Sequence, residues 1–185
     1  MGMRQVPVVR RAGSGVVWRV TQFVHALAHR HDPATDDRLR KVLQNEAQWR
    51  LLLRLSAFDR AHHVRVHDAL VTAGHSDPDL LLAAALHDVG KADELGRVHL
   101  AHRVLKVLLG ALWPALLDAL ARNGGGWLRH GLYLAQHHPL LGGEFAASAG
   151  ASPRCCELIS QHEERLPVND LQLRALIQAD SRATS

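Results

Sequence analysis

The segment Ser76-Asp77-Pro78 and the run at 80–86 that follows it constrain this chain more than any other. A capping side chain followed by proline in the first turn is a strong helix start. The run behind it, LLLAAAL, is apolar on every side, so the helix it forms belongs at the centre of a core. It leads straight into His87-Asp88-Val89-Gly90-Lys91, which puts an imidazole and a carboxylate at the buried end of that helix. Desolvating both is costly unless each has a partner, and a divalent cation satisfies the two at once. The competing reading, an exposed helix end with two polar residues, conflicts with Ala83-Ala84-Ala85-Leu86 immediately before it.

Apolar residues recur at helical spacing nearly everywhere, and β-branched clusters bounded by turns are scarce beyond the first 24 residues. The pattern predicts an all-α chain. Besides the central helix, helices are expected over residues 16–30, 35–43, 46–55, 59–72, 98–109, 114–122, 127–136, 140–148, 153–163 and 170–182. Thr35 or a neighbouring aspartate is the expected cap of the 35–43 helix, Gly74 the stop after 72, and Asn169 or Asp170 the last cap. A length of 185 residues suits one domain with a sizeable core.

The net charge of +4 is unevenly spread. Residues 1–31 carry five arginines and no acid, whereas the remainder holds 17 basic and 18 acidic residues. The basic character therefore belongs to an arm, and nucleic acid is not an expected partner of the near-neutral body. His25, His29 and His31 lie in that arm, where solvated side chains are the expectation. The longest apolar stretch, 107–117, is too short to span a bilayer, which needs about 20 residues. With no hydrophobic leader at the start, and with Cys155 and Cys156 adjacent and unable to staple distant segments, a cytoplasmic location is expected. The four tryptophans, Trp18, Trp49, Trp113 and Trp127, read as core residues.

Fourteen histidines stand out in a chain with three lysines. His62 continues the buried stripe of Phe58, Val66, Ala69 and Leu70, His162 that of Cys155, Leu158 and Ile159, and Asp180 that of Leu173, Leu176 and Ile177. His138 continues Trp127, Gly131, Leu134 and Ala135. Each alone reads as a satisfied core histidine or a capping carboxylate. Four helices that all aim metal-competent side chains inward, toward His87 and Asp88, read as one shared site. His63 and His67 stand at i, i+4 with no third ligand on their face, and exposed positions are expected for both.

These residues also carry a resemblance. His62 with Arg65-Val66, ALHDVGK at 85–91, HHPLLG at 137–142, QHE at 161–163 and QAD at 178–180 resemble the HD domain family of metal-dependent phosphohydrolases, over roughly two thirds of the chain. The resemblance implies an HD-domain helical bundle at 56–185, with extra N-terminal helices and a basic arm at 1–55 that cover the site or build a homodimer contact. It implies that His62, His87, Asp88 and Asp180 ligate one metal, that Asp88 bridges to a second held by His138 and His162, and that Lys91 contacts the substrate phosphate or assists the attacking water. The subgroup with a GYP motif is not matched, since Gln161 stands where it has histidine and no GYP follows.

The implied activity is hydrolysis of a phosphoester or phosphoanhydride, of a small nucleotide or other phosphorylated small molecule. One or two divalent ions would lower the pKa of a bound water and neutralise the phosphoryl oxygens. Mixed nitrogen and oxygen ligation suits Mn, Fe, Co, Ni or Zn better than Mg. Three alternatives stay open: a non-catalytic scaffold of the same shape, a di-iron oxygenase built on it, and an accessory domain that binds RNA through the arm.

Overall fold

Leu80, Leu82, Ala83, Ala84, Ala85 and Leu86 are each at most 1% exposed, and the other elements are arranged about the helix they form. The computed structural model describes residues 32–183; the expected helix at 16–30, the basic arm and Trp18 lie outside the described residues. In chain order the elements are α1 (Pro33–Val42), α2 (Glu46–Arg54), α3 (Ala57–Thr72), α4 (Pro78–Leu86), a 3₁₀ turn (Val89–Lys91), α5 (Leu100–Leu112), α6 (Pro114–Leu120), α7 (Gly126–Ser148), α8 (Pro153–Gln161) and α9 (Leu171–Ala183). The fold is all-α: among the described residues the only extended pairing is a single bridge between Ala92 and Arg97.

Local chemistry sets the helix starts. Asp32 caps α1 by accepting from the Ala34 N–H at 3.0 Å, one turn earlier than Thr35 would have done. Ser56, Asp77 and Ser152 cap α3, α4 and α8 in the same way, and Asp170 accepts from the N–H groups of Gln172 and Leu173. Gly74, in the left-handed region at φ 88°, ends the turn after α3.

α3, α8 and α9 pack around α4, while α7 lies along α8 and the 3₁₀ turn, with α5 against its other side. Two glycines allow these approaches. A Cβ at Gly90 would stand 2.1 Å from the His138 carbonyl oxygen, and one at Gly143 would stand 2.0 Å from Ser160 Oγ. The backbone after Asp88 therefore lies directly on α7, the helix that carries His138.

The two helices expected at 127–136 and 140–148 are one helix, with Pro139 inside it. A proline there removes the N–H that would bond the Ala135 carbonyl. Two other donors take that oxygen: Lys106 Nζ at 2.7 Å and, in the tautomer that places its proton on Nδ1, His138 at 3.2 Å. Two of the tryptophans also correct the expectation. Trp49 is buried, but Trp113 and Trp127 are each 60% exposed, Trp113 at the α5–α6 junction and Trp127 in the first turn of α7.

Candidate metal centre

The helix α4 delivers His87 and Asp88 to the middle of the fold, where both are essentially inaccessible. From α3, His62 brings its Nε2 to 3.2 Å from His87 Nε2. Asp180 on α9 places Oδ1 at 2.8 Å from His62 Nε2 and 3.7 Å from His87 Nε2. On the other side, His138 Nε2 from α7 and His162 Nε2 at the end of α8 lie 3.3 and 3.5 Å from Asp88 Oδ1, while Asp88 Oδ2 faces His87 Nε2 at 3.5 Å. All six expected ligands thus converge, in two sets that share Asp88. Two tight groups close by ligand-atom distance, His62 with His87 and Asp88, and Asp88 with His138 and His162. Asp180 completes the first by touching its two histidines; its carboxyl is the most open of the six, at 27% exposed.

The orientation of the rings matches a metal centre. The ring nitrogens facing away from the cluster meet backbone carbonyls: His87 Nδ1 at Ala84 O, His138 Nδ1 at Ala135 O and His162 Nδ1 at Ile159 O, at 3.0, 3.2 and 2.7 Å. With Nδ1 donating, each Nε2 is left as a lone pair directed at the cluster, the arrangement that backbone carbonyls impose on metal-ligating histidines. His138 Nε2 has no aligned hydrogen-bond partner although it is buried. Atoms bound to one ion at about 2.1 Å stand roughly 3.0–3.4 Å from one another, close to the spacing found here. The donor set of imidazole nitrogen and carboxylate oxygen suits a transition-metal ion.

Electrostatics favour neutral rings at His87 and His138 and ionised acids at Asp88 and Asp180. Burial pushes His138 down to about 4, with Lys91 adding to it, and holds His87 well below the usual histidine range. Burial works to raise the Asp88 carboxyl, but Lys91 and the facing histidines outweigh it and hold it well below the carboxylate range. Asp180 is likewise drawn down to about 2 by His62 and His87 against its own burial. His162 is shifted the other way, since Asp88 outweighs its burial. Lys91, from the 3₁₀ turn, pairs with Asp88 Oδ2 at the rim of the cluster.

Several residues at the centre were not picked out by sequence. His63 is fully buried, not exposed: its Nδ1 meets Ala85 O at 2.7 Å and its ring packs 4.7 Å from that of His87. His67 is half-buried beside Asp68. Asp59, 3% exposed, accepts from Ser56 Oγ at 2.6 Å and pairs with Arg103 of α5. Asp59 precedes His62 by three and His63 by four, so the same helical stripe could have revealed it; nothing in the sequence marks Arg103. Glu163 places one oxygen 3.6 Å from His138 Nε2 and the other 3.4 Å from Lys106 Nζ. A cavity of about 240 Å³ between α1 and α3, lined by Asp36, Arg38, Arg60, Arg65 and Asp68 among others, holds none of the expected ligands. Among the described residues no helix is long and apolar enough to cross a membrane.

No family model matches this chain, and no curated protein or solved structure does.

Proposed function

We propose that this protein is a metal-dependent phosphohydrolase of the HD type, acting on a phosphoester or phosphoanhydride of a small nucleotide. The observation that carries the reading is the sharing of Asp88 between two buried histidine sets, with a lysine paired to its Oδ2. Such a pair of adjoining half-sites is the arrangement that in-line phosphoryl displacement uses.

In this reading His62, His87, Asp88 and Asp180 hold one ion, and Asp88, His138 and His162 hold a second. Divalent ions supply a nucleophilic water at neutral pH and offset charge on the phosphoryl oxygens. The chain's own residues do the rest. The backbone carbonyls of Ala84, Ala135 and Ile159 fix the ring orientations, and burial keeps His87 and His138 neutral and able to ligate. Lys91 adds a fixed positive charge beside the position a phosphoryl group would take. Glu163, half exposed, sets one carboxylate oxygen 3.6 Å from His138 Nε2, where it would serve as a proton acceptor open to solvent.

Elemental analysis of protein purified without chelator, followed by hydrolysis of bis(p-nitrophenyl) phosphate and of a nucleotide panel, tests the proposal. Bound Mn, Fe, Co, Ni or Zn together with turnover that disappears in His87→Ala is the expected result. Wild-type turnover in His87→Ala sinks it. Absence of metal after incubation with Mn and Fe leaves the scaffold reading, and iron with oxygen consumption leaves the oxygenase.

A further inference from the structure

We propose that the hairpin of α5 and α6 is a docking face for an anionic lipid surface, on which the protein lies without crossing it. The inference is independent of the metal centre and of the chemistry assigned to it.

α5 is apolar on two sides. Leu105 and Leu109 turn inward with Leu117 and Leu132. A second stripe, Val104, Val107, Leu108, Ala111 and Leu112, stands at i, i+3, i+4, i+7 and i+8 and so shares one face. That face is open. Val107, Leu108 and Leu112 are 42–60% exposed, and so are Trp113, which joins α5 to α6, and Leu116 one turn further on. Exposed leucines scattered singly need no explanation, but five large apolar side chains between 107 and 116 mark a surface that a partner covers.

Charge decides which partner. Residues 97–129, which contain the hairpin, hold five basic residues and one acid, Asp118, whereas the rest of the described residues hold 12 basic and 17 acidic. Arg103 and Lys106 are engaged inward with Asp59 and Glu163. Arg122 and Arg129 are exposed, and among the described residues neither has an acidic partner. The Arg122 N–H donates to the Arg129 carbonyl at 3.2 Å, so the two arginines flank one turn. α6, seven residues and about 10 Å long, separates that turn from Trp113.

A second copy packed two-fold on this face would set these cations against each other. An anionic bilayer complements both parts: the aliphatic side chains enter the acyl boundary, the indole sits at headgroup level and the arginines meet lipid phosphates. RNA recognition takes stacking rings and phosphate contacts and leaves an aliphatic stripe unused. With 13 residues α5 is too short to span, which suits a helix lying in the interface plane.

The test is co-sedimentation of the full chain, at physiological ionic strength, with vesicles of phosphatidylcholine and with vesicles of an equimolar mixture of phosphatidylcholine and phosphatidylglycerol. The wild type is expected to pellet with the anionic vesicles and to stay in solution with the neutral ones. Leu112→Gln/Trp113→Gln, at two exposed positions and with every arginine retained, should lower the partition about 10-fold or more. Arg122→Gln/Arg129→Gln should lower it about 10-fold as well. Partition unchanged in either double variant overturns the inference; in the apolar variant it would assign the binding to charge elsewhere, the arginines of residues 1–31 included. A wild type left in solution, or pelleting equally with both vesicles, overturns it too. Sedimentation equilibrium without lipid reads the other occupant: a dimer that dissociates in Leu112→Gln/Trp113→Gln gives the face to a second copy. Binding of a uridine oligonucleotide that only the arginine variant loses gives it to RNA, and either outcome overturns the lipid assignment. Should the apolar variant lose its helical circular dichroism, quenching of tryptophan fluorescence by anionic vesicles with brominated acyl chains takes its place. Trp113→Phe is expected to lose most of the wild-type quenching, and quenching that stays unchanged overturns the inference.

Discussion

Asp88 and His138, fifty residues apart, meet at 3.3 Å in the interior, and the same Asp88 oxygen faces His162. One carboxylate thus belongs to two sets of imidazoles, and removing it should disable both. Asp88→Asn is expected to bring metal content from about two ions per chain to near zero, whereas His138→Ala should keep about one. Elemental analysis of the two variants side by side checks this; equal metal in Asp88→Asn and wild type would show that the carboxylate is not a shared ligand.

Lys91 pairs with Asp88 and is not one of the six candidate ligands, so in the proposed reading its removal should not cost metal. Lys91→Ala is expected to retain wild-type metal stoichiometry and to lower phosphoester turnover about 10²–10³-fold through loss of a preorganised charge. Loss of metal from this variant would contradict the role assigned to the lysine.

The metal-free protein should weaken on acidification. His63 and His138, both buried, are depressed from 6.5 to about 4, so between those values the unfolded chain takes up protons that the fold refuses. Stability is then present above pH 6.5 and is lost as pH falls toward 4, by up to about 3 kcal/mol per group. His162, raised in the fold, offsets part of this, and the depressed Asp180 adds a further loss below pH 4. Urea midpoints of chelator-treated protein at pH 7 and pH 4.5 measure the slope; a flat profile would mean that these rings are not held neutral.

Gly90→Ala should damage the centre without touching a ligand. Its Cβ would meet the His138 carbonyl at 2.1 Å and the Gly142 nitrogen at 2.6 Å, both backbone atoms that cannot rotate away. A loss of about 3 kcal/mol is expected, at the upper end for overpacking, together with weaker metal retention at the His138 and His162 side. Chemical denaturation and metal content read the two effects separately.

Much of the architecture is legible in the chain because helical periodicity and capping are local. The apolar run of α4, the caps at Asp77 and Asp170 and the stripes that carry His62, His138, His162 and Asp180 all follow from residues within a few positions of one another. What the stripes could not decide was how many sides of a helix are covered. α3 buries Asp59, Arg60, His63 and Val64 besides its expected face, since α1, α4 and α9 all pack on it, and so His63 is interior. Pro139 reads as a break by local rules, yet α7 continues through it, and the carbonyl it leaves free is taken by a lysine 29 residues away.

The sequence by itself determined an all-α chain, a buried helix ending in His87-Asp88, and the inward faces of the other four candidate ligands. Only the tertiary structure decided that Asp88 stands between two histidine sets, that Asp59 pairs with Arg103 across 44 residues, and that Glu163 lies between His138 and Lys106. The reason is physical: periodicity records which face of an element avoids water, whereas the pairing of charges depends on which faces come together, and that is set by the packing of whole helices.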